Sequence, residues 1–387
     1  MRRTVTLSLQ PCIVSCAMQA GHLLSVTAAG ADSEMILDLV AVLFYAAAAM
    51  LLFFFLVSRV ILPLKAGIVK TALAIATFIV LMAAAVRAGY HLGFSAWAVL
   101  PALILVGTAA DEWYAAKHRK RLKGAPPVET TDTRLSLRRP LTTTDLHVSR
   151  YDVRLPDWTG PDFRVVHISD FHVTERLPYD YYRGVVERAA AASPDLVFVT
   201  GDFLVTNTSL PALRDVLQGL SGRCGAFATL GNHDYWTGPD AIRDAVQEAG
   251  LDLVGNETRR VGIGGHSVLV SGCEDPWAPT SWEPPVAQEG EPLLVLSHTA
   301  DNIYRISRAG AAAAFAGHYH DGQFKLPLIG ALVIPSIYGR RFHHGHFVIG
   351  ETHLFVSAGI GVAGPAHRVY CRPDLFVIDF RGRQGAG

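Results

Sequence analysis

The sequence has little cysteine and little charge. Its five cysteines, Cys12, Cys16, Cys224, Cys273 and Cys371, form no CxxC pair and no zinc-knuckle spacing, so neither a disulfide framework nor a cysteine-based metal site is expected. A reducing compartment is the simpler home for such scattered thiols. Only 18% of the 387 residues are charged, and 34 basic side chains balance 34 acidic ones. A net charge of zero carries none of the electrostatic footprint of a nucleic-acid binder, and no nucleic-acid partner is indicated. The second half of the chain also lacks internal repeats, low-complexity blocks and any evident activated serine or cysteine nucleophile.

What is abundant is apolar sequence, half of all residues, and its excess lies before residue 115. Leu39 to Ser58 runs twenty residues without a charge, the length that crosses a hydrocarbon core as a helix. Thr71–Val86 and Leu92–Ala110 are further apolar stretches; a buried helical hairpin is the alternative reading for these two. About three spans are therefore expected within residues 35–116. Arg59, Lys65 and Lys70 follow the first span, Arg87 follows the second, and Lys117, Arg119, Lys120, Arg121 and Lys123 follow the third. Because basic loops stay on the cytoplasmic side, the expectation is a multi-pass protein of the inner (plasma) membrane with everything after residue 117 in the cytoplasm. Residues 1–34 admit three readings: a fourth weak span, an uncleaved signal-like stretch, or sequence upstream of a start at Met35. Residues 117–146, basic and then rich in Thr and Pro, read as a juxtamembrane linker whose charge serves either anionic headgroups or topology alone.

From about 147 to 384 the pattern changes to short apolar runs: FRVVHIS, DLVFVT, GAFATL, HSVLVSG, PLLVLS, AAAAFAG, HLFVSAG and DLFVIDF. Such runs read as buried strands. DYYRGVVERAAAA and PDAIRDAVQEA lie between early strands and are helix-prone, which makes this a sheet-rich α/β domain with flanking helices, long enough for one large core.

Polar residues cluster where the strands end. Asp170 and His172 stand in SDFH, Asp202 in TGDF, Asn232, His233 and Asp234 in GNHD, His298 in LSH, and His318 and His320 in GHYH. Loops at the carboxyl ends of strands with crossover helices converge on one edge of the sheet, so these clusters are expected to meet. A lone Asp there is ordinarily a helix cap and a lone His an ordinary core or surface residue. Together they offer carboxylate and amide oxygen with imidazole nitrogen and no thiolate, the mixture that suits divalent manganese, iron or zinc. Seven or eight such groups exceed the needs of one ion and suit two.

The order D-x-H, G-D, G-N-H-D, H and G-H-x-H resembles the calcineurin-like metallophosphoesterases, over about Val148 to Phe380. ISDFHV, LLVLSHTAD, GHYHDGQ and FVSAGIGVAGPAHR are most similar to the bacterial membrane-associated branch of that superfamily. The resemblance implies a sandwich of β-sheets flanked by helices and a cofactor of two divalent metal ions. It implies that Asp170, His172 and His320 hold one ion, that Asn232, His298 and His318 hold the other, and that Asp202 bridges them. His233 is then no ligand but faces the leaving group as proton donor, with Asp234 orienting its ring. Two ions activate a bridging water, so hydroxide attacks phosphorus without a covalent enzyme intermediate. Two departures stand out: Tyr319-His320-Asp321-Gly322 where the branch has Thr-His-Gly-Gly, and CRPDL where an acidic residue is usual. Asp321 adds negative charge beside the metals.

Other residues invite a reading. His167 is expected in the core or behind the ligands. Arg340, Arg341, His343, His344 and His346 form either a lid for phosphate or a lipid headgroup, or a solvated loop. Arg368 resembles a recurrent position of the branch that contacts substrate, and Trp277 and Trp282 cover the site, touch the bilayer interface, or simply pack. The function expected is a membrane-anchored phosphoesterase cleaving a phosphodiester or pyrophosphate, with a lipid-linked substrate favoured by confinement to the bilayer. A tethered hydrolase of soluble nucleotides and an inactive membrane scaffold are the alternatives.

Overall fold

A computed structural model describes residues 35–61, 68–131, 139–327 and 330–382. Residues 1–34, with Cys12 and Cys16, part of the expected linker (132–138) and the last residues assigned to the catalytic domain (383–384) lie outside the described residues. By its internal contacts the chain divides into two units, Met1–Phe53 with Ala72–Ala110, and Phe54–Thr71 with Asp111–Gly387.

The first unit is helical. Helices α1 (Met35–Leu56) and α2, whose apolar part is Val69–Leu92 within Ile68–Leu92, are long and apolar enough to cross a membrane, by length and composition. Tyr45, Ala49 and Ala85 pack together between them, whereas Leu43, Val80 and Leu103 are exposed. The third expected span is not, among the described residues, a helix both long and apolar enough to cross: the helix that holds most of it has the length, but its charged residues lower its apolarity. The chain breaks after Leu92 into a turn and a short 3₁₀ segment (Ala96–Ala98), and α3 (Val99–Leu122) then runs on through Asp111, Glu112 and the basic run. The first residues assigned to the linker are thus helical, because Lys, Arg and Ala favour helix as strongly as they signal topology.

The second unit is a two-sheet sandwich. Its strands are β1 (Glu129–Thr130), β2 (His147–Arg154), β3 (Phe163–Ile168), β4 (Leu196–Thr200), β5 (Gly225–Thr229), β6 (Asp252–Leu253), β7 (Thr258–Ile263) and β8 (His266–Cys273). They continue as β9 (Leu293–Ser297), β10 (Ala313–Ala316), β11 (Lys325–Leu326), β12 (Gly330–Ala331), β13 (Gly345–Ile349), β14 (Thr352–Val356) and β15 (Asp374–Arg381). One sheet has the order β1-β2-β15-β3-β4-β5-β6 and the other β13-β14-β10-β9-β8-β7. All eight apolar runs read from the sequence are strands. The half-polar β2, β7 and β13 carry no such run, and only their pairing partners make them strands.

Alternation sorts each strand's side chains between layers. In β3, Val166 and Ile168 join a core shared with α4 (Tyr179–Ala191), α5 (Leu210–Leu217) and, after the short α6 (Asn232–Thr237), α7 (Pro239–Glu248). Phe163 and Val165 face the opposite way, into a core with Leu294, Leu296, Phe315 and Phe355 of the second sheet. A third core covers the outer face of that sheet with α8 (Ile303–Arg308). Within the first sheet β3, β4 and β5 run parallel, and within the second β9 and β10 do. Their carboxyl ends therefore deliver all five polar clusters to one edge of the sandwich.

Candidate metal centre

The loops after β3 and β4 are fastened to each other before any side chain is considered. The backbone N–H groups of Asp170 and His172 donate to the carbonyls of Gly201 and Asp202 at 3.0 and 2.9 Å. The one-residue spacing in Asp170-Phe171-His172 then sends Phe171 into the helix-side core and both polar side chains to the open edge. This geometry is strained. Asp170, His172, Asp202, His318 and His320 all have positive φ, between 42° and 73°, an uncommon conformation for residues that carry a Cβ. Surrounding packing enforces it: a Cβ on Gly317 would meet Ser169 Oγ at 1.9 Å, and one on Gly231 would meet Asp202 Oδ1 at 2.2 Å. Only glycine lets the strand ends approach this closely.

The donor atoms form three overlapping groups: Asp170, His172 and His320; His172, Asp202 and His233; and Asp202, His298 and His318, with the candidate ligand atoms of each within 4.8 Å of one another. Asp202 Oδ2 stands 3.3 Å from His172 Nε2 and 3.3 Å from His298 Nε2. On one side His320 Nε2 lies 3.2 Å from Asp170 Oδ1 and 3.1 Å from His172 Nε2. On the other, Asn232 Oδ1 is 3.1 Å from His298 Nε2. All except His318 are buried, and His318 is half-buried. His298 Nδ1 bonds the carbonyl of Thr200 at 2.6 Å, which fixes the tautomer that turns the Nε2 lone pair inward. Buried imidazole nitrogens and carboxylate oxygens that point at common centres, held there by strained backbone, fit divalent cations of the oxygen-and-nitrogen-preferring kind.

Electrostatics follow the same geometry. Burial works against charge on His298, yet the Asp202 carboxylate holds its imidazole up at about 9. Burial also opposes ionisation of Asp202, and the adjoining His298 and His233 keep it well below the usual carboxylate range. His318 is pushed down to about 3 by burial and then by His298. His233 goes down to about 4, chiefly through burial. Its ring lies 4.7 Å from that of His172 and 5.0 Å from that of Trp236, at the rim, and its backbone N–H donates to Asp202 Oδ1 at 2.8 Å.

The family model for calcineurin-like phosphoesterases matches residues 163–322, a stretch that contains every donor just described. Residues 163–322 belong to that superfamily. Phosphodiesterase YaeI of Escherichia coli (strain K12) is 27% identical over 56% of this chain and 82% of its own length. The uncharacterized metallophosphoesterase YkuE of Bacillus subtilis (strain 168) is 24% identical over 57% of this chain and 79% of its own. UDP-2,3-diacylglucosamine pyrophosphatase LpxG of Chlamydia muridarum (strain MoPn / Nigg) is 35% identical, over 24% of this chain and 29% of that one. This calcineurin-like phosphoesterase is accordingly a metal-dependent phosphoester hydrolase with an α/β fold.

Several residues sit differently from the sequence expectation. Asp234 is hydrogen-bonded to backbone rather than to the His233 ring. Its Oδ2 accepts from the N–H groups of Asp202 and Gly231 at 2.8 and 2.9 Å, and its Oδ1 from Phe203 N–H at 2.8 Å. The i+3 spacing from Gly231 at a helix start turns the carboxylate back onto N–H groups, so it ties the GD loop to the GNHD loop. Arg368 does not reach open space either. It is fully buried behind His320, and its Nη2 donates to the carbonyls of Ala358 and Gly359 at 2.8 and 2.9 Å. The run from Arg340 to His346 is no lid. Arg340 pairs with Glu112 of α3 at 3.2 Å, Arg341 lies over Tyr114, and His346 stacks on Phe355 within the sheet. His343 and His344 flank Asp321, at 3.6 and 3.8 Å, and Lys325 pairs with the same carboxylate, so its extra charge is compensated locally.

His167 is a core residue behind the ligands, bonded to Thr200 Oγ1 at 2.9 Å. The two tryptophans part company: Trp282 is fully buried with its Nε1 donating to Ser271, whereas the Trp277 ring lies 5.5 Å from His298 and 5.3 Å from His318. Sequence reasoning missed Glu274. Buried after β8, it accepts from Leu230 N–H at 2.6 Å and from Tyr235 OH at 2.5 Å, pinning α6 against the strand end. Nothing in its local sequence marks it, since its partners come from elsewhere in the chain.

Proposed function

We propose that this chain is a membrane-anchored phosphodiesterase or pyrophosphatase that acts, with two divalent cations, on a lipid-linked phosphoester at the cytoplasmic face. The observation that carries the two-cation reading is the position of Asp202 Oδ2, equally far from His172 Nε2 and His298 Nε2. Cations held there supply Lewis acidity toward the phosphoryl oxygens and an acidified water. Asp170, His172 and His320 hold one side, Asn232, His298 and His318 the other, and Asp202 joins them. The buried, strained loops keep these groups fixed, so no reorganisation is needed when charge develops on phosphorus. His233 also lies within reach of Asp202 and His172 as a candidate donor, but three donors on each side of Asp202 already complete two sites without it, and we assign it to the departing oxygen. Burial leaves its imidazole neutral in the free site. The negative charge of a bound phosphate raises its proton affinity, so that it takes up a proton from water when substrate binds and holds the imidazolium that gives this proton to the departing oxygen.

Two observations favour a substrate at the membrane. Lys70, in the first turn of α2, has its ammonium 4.8 Å from the centre of the Trp236 ring at the site's rim. Lys70 therefore stands at the rim of the site itself. The partial match to LpxG, whose name specifies a diacylglucosamine pyrophosphatase, agrees with a lipid-linked substrate.

The test is a substrate panel on the detergent-solubilised full chain, with manganese, iron or zinc added singly to chelator-treated protein. Turnover of lipid-linked phosphodiesters or pyrophosphates above soluble nucleotides is expected. A preference for soluble nucleotides would replace this reading by the tethered-hydrolase one, and no turnover with any ion would leave a scaffold. A reporter fused after Gly387 should behave as cytoplasmic; activity only outside the cytoplasm overturns the orientation.

A further inference from the structure

Beside the metal donors lies a cleft of about 670 Å³ that the catalytic reading does not use. Tyr235, Trp236, Pro239, Arg243, Pro276 and Trp277 line it. Both tryptophans are half-buried, and each is anchored on a different part of the site: Trp236 on His233, Trp277 on His298 and His318. The cleft thus opens from the scissile position between His233 on one side and His298 with His318 on the other. Its walls are held firmly. Tyr235 is bonded to the buried Glu274 carboxylate, and Arg243 reaches the Tyr235 hydroxyl at 3.2 Å and Asp240 at 3.3 Å.

We infer that this cleft is a subsite for a rigid ring carried on the scissile phosphate. The inference rests on the phosphoesterase reading and specifies the substrate beyond it. Two indoles, a phenol and prolines form stiff apolar walls, which match the two faces of a ring better than the varied conformations of a chain. Asp240 and Arg243 supply an acceptor and donors at the rim for polar groups on the ring's edge. An alkyl chain has no use for that pair. A sugar ring and a nucleobase share this chemistry of apolar faces and polar edge.

The experiment uses the metal-loaded full chain and phosphodiesters with one common acyclic leaving group, 2,2,2-trifluoroethanolate, followed by fluorine NMR, so that chemistry at phosphorus is constant and the only ring is the one under test. The second ester group is methyl, octyl, glucosyl through its 6-oxygen, or thymidyl through its 5′-oxygen. Trp277→Ala and Trp236→Ala should lower kcat/KM for a ring ester about tenfold more than for the methyl ester, mainly through KM, as expected when a stacking face is removed. Trp277→Phe should restore most of the difference. The glucosyl and thymidyl arms tell which ring is favoured. Quenching of tryptophan fluorescence by glucose 6-phosphate or thymidine 5′-phosphate, in chelator, gives a readout independent of turnover and should weaken in the same variants. Equal losses on methyl and ring esters, or the largest loss on the octyl ester, overturn the ring subsite while the phosphoesterase reading stands. Failure of the wild-type chain to cleave any of the four esters overturns the phosphoesterase reading itself.

Discussion

Replacing Asp234 by Asn separates a residue that orients His233 from one that holds loops together. The carboxylate accepts three backbone N–H groups, two on Oδ2 and one on Oδ1. Asn is nearly the same shape but has a single carbonyl oxygen. Its better orientation keeps oxygen toward Asp202 and Gly231 and turns the amide NH₂ toward Phe203 N–H, donor against donor. Two buried donors are then unmatched, and at roughly 1–3 kcal/mol each the variant should lose about 2–6 kcal/mol of stability. The reverse orientation strands the N–H groups of both Asp202 and Gly231 and is worse. Because Asp202 stands on one of the freed loops, metal affinity should fall together with stability. The assay is thermal unfolding of the solubilised chain, with and without saturating manganese, alongside metal content by mass spectrometry. Metal binding only to the folded state should recover part of the loss. An Asp234→Asn protein with unchanged unfolding and full metal content, slowed only on substrates with poor leaving groups, would refute the loop-tie argument and restore the orienting role.

His233→Ala should keep its metal and lose roughly 10²–10⁴-fold in turnover on alkyl esters, with a much smaller loss on an activated aryl phosphodiester that departs without protonation; loss of an ion, or equal slowing of both substrates, refutes the proton-donor role. Asp202→Asn should deplete both ions and His320→Ala mainly one, read as metal stoichiometry per chain, and retention of two ions by Asp202→Asn overturns the bridging assignment. Metal affinity should rise with pH. His298, held up at about 9, must give up a proton to become a ligand, so below that value affinity should climb roughly tenfold per pH unit and uptake should release a proton. Calorimetric titrations in buffers of different ionisation enthalpy read that proton, and an affinity flat between about pH 6.5 and 8.5 refutes the argument.

The sequence by itself determined which donor types gather at the sheet edge and the strands that carry them. Each donor follows an apolar run in chain order, and β3, β4, β5, β9 and β10 are buried on both faces, so their composition alone marks them as strands. Apolar length likewise marked α1 and α2. The roles of side chains whose partners are distant in the chain were settled only by the tertiary structure. The family resemblance implies that Asp234 orients His233, but a carboxylate at a helix start turns toward backbone N–H groups, two of them delivered by the loop after β4. Arg368 resembled a substrate contact until the loop 358–361 closed around its guanidinium. The half-polar strands β2, β7 and β13 have no signal of their own, since a strand covered on one side is held by its neighbours' hydrogen bonds as much as by its own residues. Glu274 and the walls of the aromatic cleft are assembled from α6, α7 and the loop after β8, and local pattern is silent about a surface that comes into being only when three segments meet.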